Sequence, residues 1–189
     1  MGPGAGWGRS AVANVHLFVD ESKARGYRFA LTTVDPQDMN AERTLVRDLL
    51  LKGQSHLHFT KESDGRRRKI LDALARNSTA RTTILTAPDG LKDKAARLRC
   101  LQGAADLAIE MRAARLVFEE DASTLQADRK ALYPLLRGTS VEYRFEKKRQ
   151  EPLLWISDAI AWCFAAKGEW RKRAEPRGLS KEKCVRMPP

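Results

Sequence analysis

The chain has 189 residues, 42% of them hydrophobic and 31% charged, the composition of one soluble globular domain with a substantial core. It contains no run of about 18 apolar residues, which excludes a helical membrane span. The formal net charge of +11 favours a polyanionic partner, nucleic acid above all.

Residues 1–13 are glycine-rich without an apolar centre, so they read as a flexible leader rather than a secretory signal. Val15-His16-Leu17-Phe18-Val19-Asp20-Glu21-Ser22 then runs almost continuously apolar into two acids and a hydroxyl, the pattern of a strand buried on both faces. A turn at Arg25-Gly26 leads to a second, alternating strand from Tyr27 to Val34, which predicts an antiparallel hairpin. Asp38 is placed to cap a helix from about Asn40 to Lys52, closed by Gly53. After His56-Leu57-His58-Phe59 comes a second helix, about Arg66 to Asn77. A third strand covers Arg81 to Ala87, and a long helix runs from about Leu91 to Ala114. The fourth strand, Arg115 to Asp121, ends in acids as the first does. A helix from about Ser123 to Leu136, a fifth strand from Val141 to Lys147, and a last helix from Pro152 to about Lys167 complete the order, the proline sitting in the first turn, where it is tolerated. From residue 168 the chain is basic and apolar-poor and reads as a loosely held tail. The expected architecture is one α/β domain over 14–167. A mixed five-stranded sheet opens with the hairpin, helices flank it, and a helical insertion occupies about 38–77.

Chemistry concentrates at three places. Asp158 is the sole charge in the fourteen residues after Pro152, on a helix apolar all round and therefore buried. An ionised carboxylate there is costly unless it is paired, hydrogen-bonded or on a metal, and no cation lies one helical turn away. Asp20 ends the first strand. Glu119 and Asp121 would share one face of the fourth if it extends that far. Carboxylates gathered at one point commonly share a metal. Two divalent ions about 3.5–4 Å apart can activate water and stabilise the leaving oxygen of a phosphodiester.

The element order and the three acid positions resemble the ribonuclease-H-like fold. More closely, Phe18-Val19-Asp20-Glu21-Ser22 and Leu153-Leu154-Trp155-Ile156-Ser157-Asp158-Ala159 resemble the opening and closing motifs of the family called domain of unknown function 3800, over residues 14–167. The resemblance implies a nuclease-like phosphodiesterase dependent on Mg²⁺ or Mn²⁺, two ions in the full form. Asp20 would be the central ligand, Asp158 the second, and Glu119 the strand-four acid with Asp121 as its rival. Glu21 would be a catalytic residue, either supporting these ligands or acting as one. The chain departs from the family in having Lys23 where glycine is frequent, and Glu119 where aspartate is usual. The alternative is a catalytically inactive nucleic-acid-binding or toxin–antitoxin-type module. An all-parallel nuclease of the PilT-N-terminus kind is disfavoured by the hairpin at Gly26, and a haloacid-dehalogenase-like phosphatase by the lack of an Asp-x-Asp pattern at Asp20.

Lesser signals surround this core. His58 is a candidate proton-transfer group; with His56 it forms a pair too small for a zinc site. Three basic clusters, Arg66-Arg67-Arg68, Lys147-Lys148-Arg149 and Arg171 with Arg173, are candidates for phosphate contact, and Trp170 for base stacking. Cys100, Cys163 and Cys184 form neither a zinc pattern nor a disulfide framework, which fits a cytoplasmic location. Neither DNA over RNA nor a homodimer over a monomer is specified by these residues.

Overall fold

In the computed structural model, which describes residues 14–175 and the backbone of 180–184, the hairpin is formed by β1 (His16–Ser22) and β2 (Arg28–Val34). Its turn needs left-handed backbone: Arg25 has φ 55° and Gly26 φ 109°, and the second value suits glycine alone. The remaining elements are α1 (Met39–Asp48), α2 (Asp64–Asn77), β3 (Arg81–Thr86), α3 (Asp93–Glu110), β4 (Arg115–Glu119), α4 (Leu125–Leu136), β5 (Glu142–Glu146), α5 (Leu154–Ala166), α6 (Gly168–Ala174) and β6 (Ser180–Cys184). A 3₁₀ turn at Phe59–Lys61 precedes α2.

The sheet order is β5-β4-β1-β2-β3-β6. β2 is antiparallel to both its neighbours, while the β1–β4, β4–β5 and β3–β6 pairs are parallel. The expected mixed sheet is therefore present with its five strands, and a sixth is added at the β3 edge. The reading of everything after residue 168 as a loose tail is corrected here. Residues 168–174 are helical, and 180–184 pair with β3. Ser180-Lys-Glu-Lys-Cys184 lacks apolar alternation, so the sequence gives no sign of an edge strand. The 1–13 leader lies outside the described residues, as do 176–179 and 185–189 of the tail.

Alternation along the strands divides the core. Phe18, Ala30, Ile84 and Val117 face α2 and α5, where Ile70, Leu74, Ile160 and Phe164 meet them. Leu17, Val19, Phe29 and Phe118 face α3 and α4, against Leu101, Ala105, Leu132 and Leu136. Side chains of consecutive strand residues point to opposite faces, so Asp20 belongs with Phe18 and Glu21 with Val19. Helix α5 is buried nearly all round and lies across β1 and β2. The buried Ser157 hydroxyl donates to the Phe18 carbonyl (2.8 Å) and lies 2.8 Å from Thr32 Oγ1, itself 2.9 Å from Thr82 Oγ1. That contact fixes the helix one residue before Asp158. Among the described residues no helix is long and apolar enough to cross a membrane.

Candidate active site

Three carboxylates meet where β1 and β4 end. Asp20, near the C-terminal end of β1, is 3% exposed. Glu119 closes β4 on the same face as Val117. Asp158 is delivered by α5, and its Oδ2 accepts the Phe59 backbone N–H at 2.8 Å. At their focus sits Lys148, from the loop between β5 and α5. Its Nζ lies 2.9 Å from Asp20 Oδ2, 3.1 Å from Glu119 Oε2 and 3.1 Å from Asp158 Oδ1. The cation that the sequence around Asp158 lacks comes from ten residues upstream. Within the run Lys147-Lys148-Arg149 it looks like one more solvated charge, and nothing in the run sets Lys148 apart. The loop is held by Trp155, whose Nε1 donates to the Lys148 carbonyl (2.7 Å), and by the two-pronged pair of Arg43 with Glu151.

Burial pushes the Asp20 carboxyl well above its ordinary pKa. The neighbouring Glu119 carboxyl adds to the rise, and Lys148 opposes it. Burial alone would lower the Lys148 ammonium, but Asp20, Asp158 and Glu119 together raise it. Asp20 Oδ1 accepts the Glu21 N–H at 2.8 Å, whereas the buried Oδ2 has charge contact with Lys148 but no directed hydrogen bond.

Glu21, expected as a catalytic support, is turned to the other face. It accepts hydrogen bonds from Tyr27 and Arg97, and Lys23 Nζ lies 3.2 Å away. Arg97 also grips the buried Asp128 through two bonds, 2.8 and 2.7 Å, tying β1, α3 and α4 together. This network was missed because Arg97 and Asp128 lie on separate helices whose facing the sequence does not state. Asp121 likewise leaves the cluster. β4 stops at Glu119, and Asp121 accepts from the Ser123 N–H and hydroxyl at 2.9 and 2.7 Å, which lowers its pKa. Of the two strand-four rivals, the structure brings Glu119 to Asp20 and Asp158.

His58 Nδ1 is buried 3.7 Å from Asp158 Oδ2, and the His56 ring stacks 6.5 Å away. Several predicted phosphate contacts are engaged by partners within the protein. Arg66 donates to the Leu49 carbonyl and pairs with Glu62. Arg67 donates to the Phe59 and Thr60 carbonyls and lies 4.1 Å over Trp162. Arg171 bonds Glu175, and Arg173 bonds Asp72. Arg68 and Trp170 stack on each other, 5.4 Å apart. Lys147 and Arg149 stay exposed beside the acid cluster.

A cleft of about 280 Å³ opens against the cluster, lined by Asp20, Glu21, Glu119, Glu120, Asp121 and Arg97. Carboxylate oxygens are the donors a hard divalent ion takes, and the three-acid set suits one in kind. The focal point belongs to Lys148, however, and among the described residues no three acids stand in ligating geometry. To bind such an ion the oxygens would have to draw in by about 1 Å from their distance to Nζ, given Mg²⁺–O contacts of about 2.1 Å.

The fold has a counterpart among solved structures. The RNase HII in the structure of the PCNA:RNase HII complex from Archaeoglobus fulgidus matches over 87% of this chain and 76% of that one. The TM-score is 0.53 and the identity 17%. The fold is ribonuclease-H-like. At that identity the likeness speaks for architecture only. No protein-family model matches the sequence, and no curated protein does. Within this ribonuclease-H-like sheet, Asp20 and Glu119 occupy the ends of two adjacent parallel strands, β1 and β4, with Asp158 brought over them by α5.

Proposed function

We propose that this chain hydrolyses phosphodiester bonds of nucleic acid, using Mg²⁺ or Mn²⁺ held by Asp20, Glu119 and Asp158. The observation that carries the reading is the meeting of these three acids, from three separate elements, within 3.1 Å of one cationic nitrogen. Ions of this kind, when bound, polarise phosphoryl oxygens and make water a nucleophile near neutral pH; in the two-ion form, Asp20 and Asp158 would help hold them. The chain's own residues supply the rest. The Phe59 N–H and Ser157 fix Asp158, and His58 stands beside it to take or give a proton. Exposed Lys147 and Arg149 attract the phosphate backbone. The reading groups the chain with the domain of unknown function 3800 proteins, on its Asp20-Glu21-Ser22 and Ser157-Asp158-Ala159 motifs.

A second reading, a nucleic-acid-binding module without turnover, is favoured by one observation: an ammonium already fills the focus of the acids. The two separate in a single assay. Purified chain is incubated with single- and double-stranded DNA, RNA and RNA–DNA hybrid, in Mn²⁺ or in chelator. Hydrolysis is expected in Mn²⁺ alone, and Asp158→Asn should lose about a hundredfold or more, the scale of removing one electrostatic partner of a transition state. Salt-sensitive binding of these nucleic acids with no turnover of any of them would establish the second reading.

A further inference from the structure

We propose that Lys148 is a displaceable counter-cation: it closes the acid cluster until a divalent ion takes its place, and its ammonium then pairs with a phosphate of the bound nucleic acid. The proposal rests on the metal-dependent reading above and adds to it an order of events and a residue that links the two ligands.

Geometry and charge carry it together. Lys148 touches all three acids with its side chain 13% exposed, whereas its neighbour Lys147 is 52% exposed with a single contact, to Glu120 at 3.8 Å. Three carboxylates against one ammonium leave the cluster under-neutralised, so a doubly charged ion competes favourably for the same oxygens. An ammonium and a divalent ion cannot both occupy that focus, because they repel and the oxygens must close in on the smaller ion. Finally, the loop backbone is anchored by Trp155 and by the Arg43–Glu151 pair, so displacement needs only the four-carbon stem to swing. The adjoining cleft, lined by Asp20, Glu21, Glu119, Glu120 and Asp121 against the single guanidinium of Arg97, gives the incoming ion a net acidic approach. The stem keeps the released ammonium beside the cluster, where a phosphate would lie.

The test is Mn²⁺ titration by calorimetry on wild type, Lys148→Met and Lys148→Arg, with no turnover required. Lys148→Met should bind Mn²⁺ about tenfold more tightly than wild type, within the usual range of coupled binding. Lys148→Arg, which keeps a cation, should not gain. In chelator the Met variant should unfold at lower temperature, and Mn²⁺ should raise its midpoint more than that of wild type. A non-hydrolysable phosphorothioate oligonucleotide should tighten Mn²⁺ binding in wild type and do so less in Lys148→Met, since coupling between two ligands is reciprocal. Unchanged or weaker Mn²⁺ binding by Lys148→Met, or failure of that variant to fold in both chelator and Mn²⁺, would overturn the proposal and make Lys148 a structural residue. The two readings fail separately. A chain that shows the competition but cleaves nothing loses only the nuclease assignment; one that cleaves, with Mn²⁺ affinity indifferent to Lys148, loses only the counter-cation.

Discussion

On the α5 side of the sheet three carboxylates share one ammonium; on the α3 side one guanidinium is shared by two carboxylates, with a lysine and a phenol at its edge. The first group carries excess negative charge; the cleft at the strand ends borders both groups, through Asp20 and Glu119 and through Glu21 and Arg97. The second is balanced, Glu21 and Asp128 against Arg97 and Lys23. Balanced buried charge holds elements together; unbalanced buried charge requires something to complete it. Asp20 and Glu21 are adjacent in the chain, yet the period of two along β1 sends one to each group.

The sharpest break between the two sides is in turnover. Glu119→Gln should cut metal-dependent hydrolysis by about a hundredfold. Asp121→Asn, which loses its charge while its Oδ1 can still accept from Ser123, should leave hydrolysis within about threefold, in line with a surface change of small energy. A steady-state assay on both variants checks this, and equal losses would return Asp121 to the cluster.

The next effect is on stability, and it tests which side depends on metal. Arg97→Met leaves the buried Asp128 without a cation and Glu21 with only Lys23 and Tyr27, and should cost about 3–5 kcal/mol by urea unfolding. Mn²⁺ should not restore that loss. Lys148→Met should be destabilised in chelator and recover in Mn²⁺. Recovery of both variants, or of neither, would erase the distinction.

A finer probe uses one buried thiol per face. Cys163 lies on the α5 side and Cys100 on the α3 side, and burial pushes both up to about 12. Both should resist alkylation near neutral pH until the fold opens. Arg97→Met should speed labelling of Cys100 more than of Cys163, and Lys148→Met in chelator should do the reverse, as read by mass spectrometry. Equal acceleration would mean that the two faces open as one.

The smallest effect is on pH dependence. Burial and the neighbouring Glu119 carboxyl raise the Asp20 pKa above 3.8. A carboxyl raised on folding contributes stability that is fully present below its unfolded pKa and lost as pH rises through the folded value. Relative to Asp20→Asn, wild type should therefore lose stability as pH climbs from about 4 toward neutrality. Urea midpoints at a series of pH values read this; a flat difference would contradict the burial.

Much of this was legible in the chain. The apolar run into Asp20, the hairpin at Gly26 and the isolated Asp158 in an apolar helix depend on local pattern, and local pattern is what a sequence displays. Other features were hidden. Lys148 is indistinguishable from Lys147 until the β5–α5 loop is closed in space. Glu21 shares its motif with Asp20, and the motif outweighed the alternation that separates them. Arg66, Arg67, Arg171 and Arg173 looked like free surface charge because their carbonyl, carboxylate and ring partners are set by loops and helix packing. β6 gave no apolar signal because an edge strand can be wholly polar.

The most direct test sets Asp20→Asn beside Glu21→Gln in one metal-dependent cleavage assay, with folding of each followed by circular dichroism. The account predicts a folded, inactive Asp20→Asn and an active Glu21→Gln that is weakened mainly in stability, by about 1–3 kcal/mol. Equal activity in the two, or loss of activity from Glu21→Gln alone while folded, would contradict it.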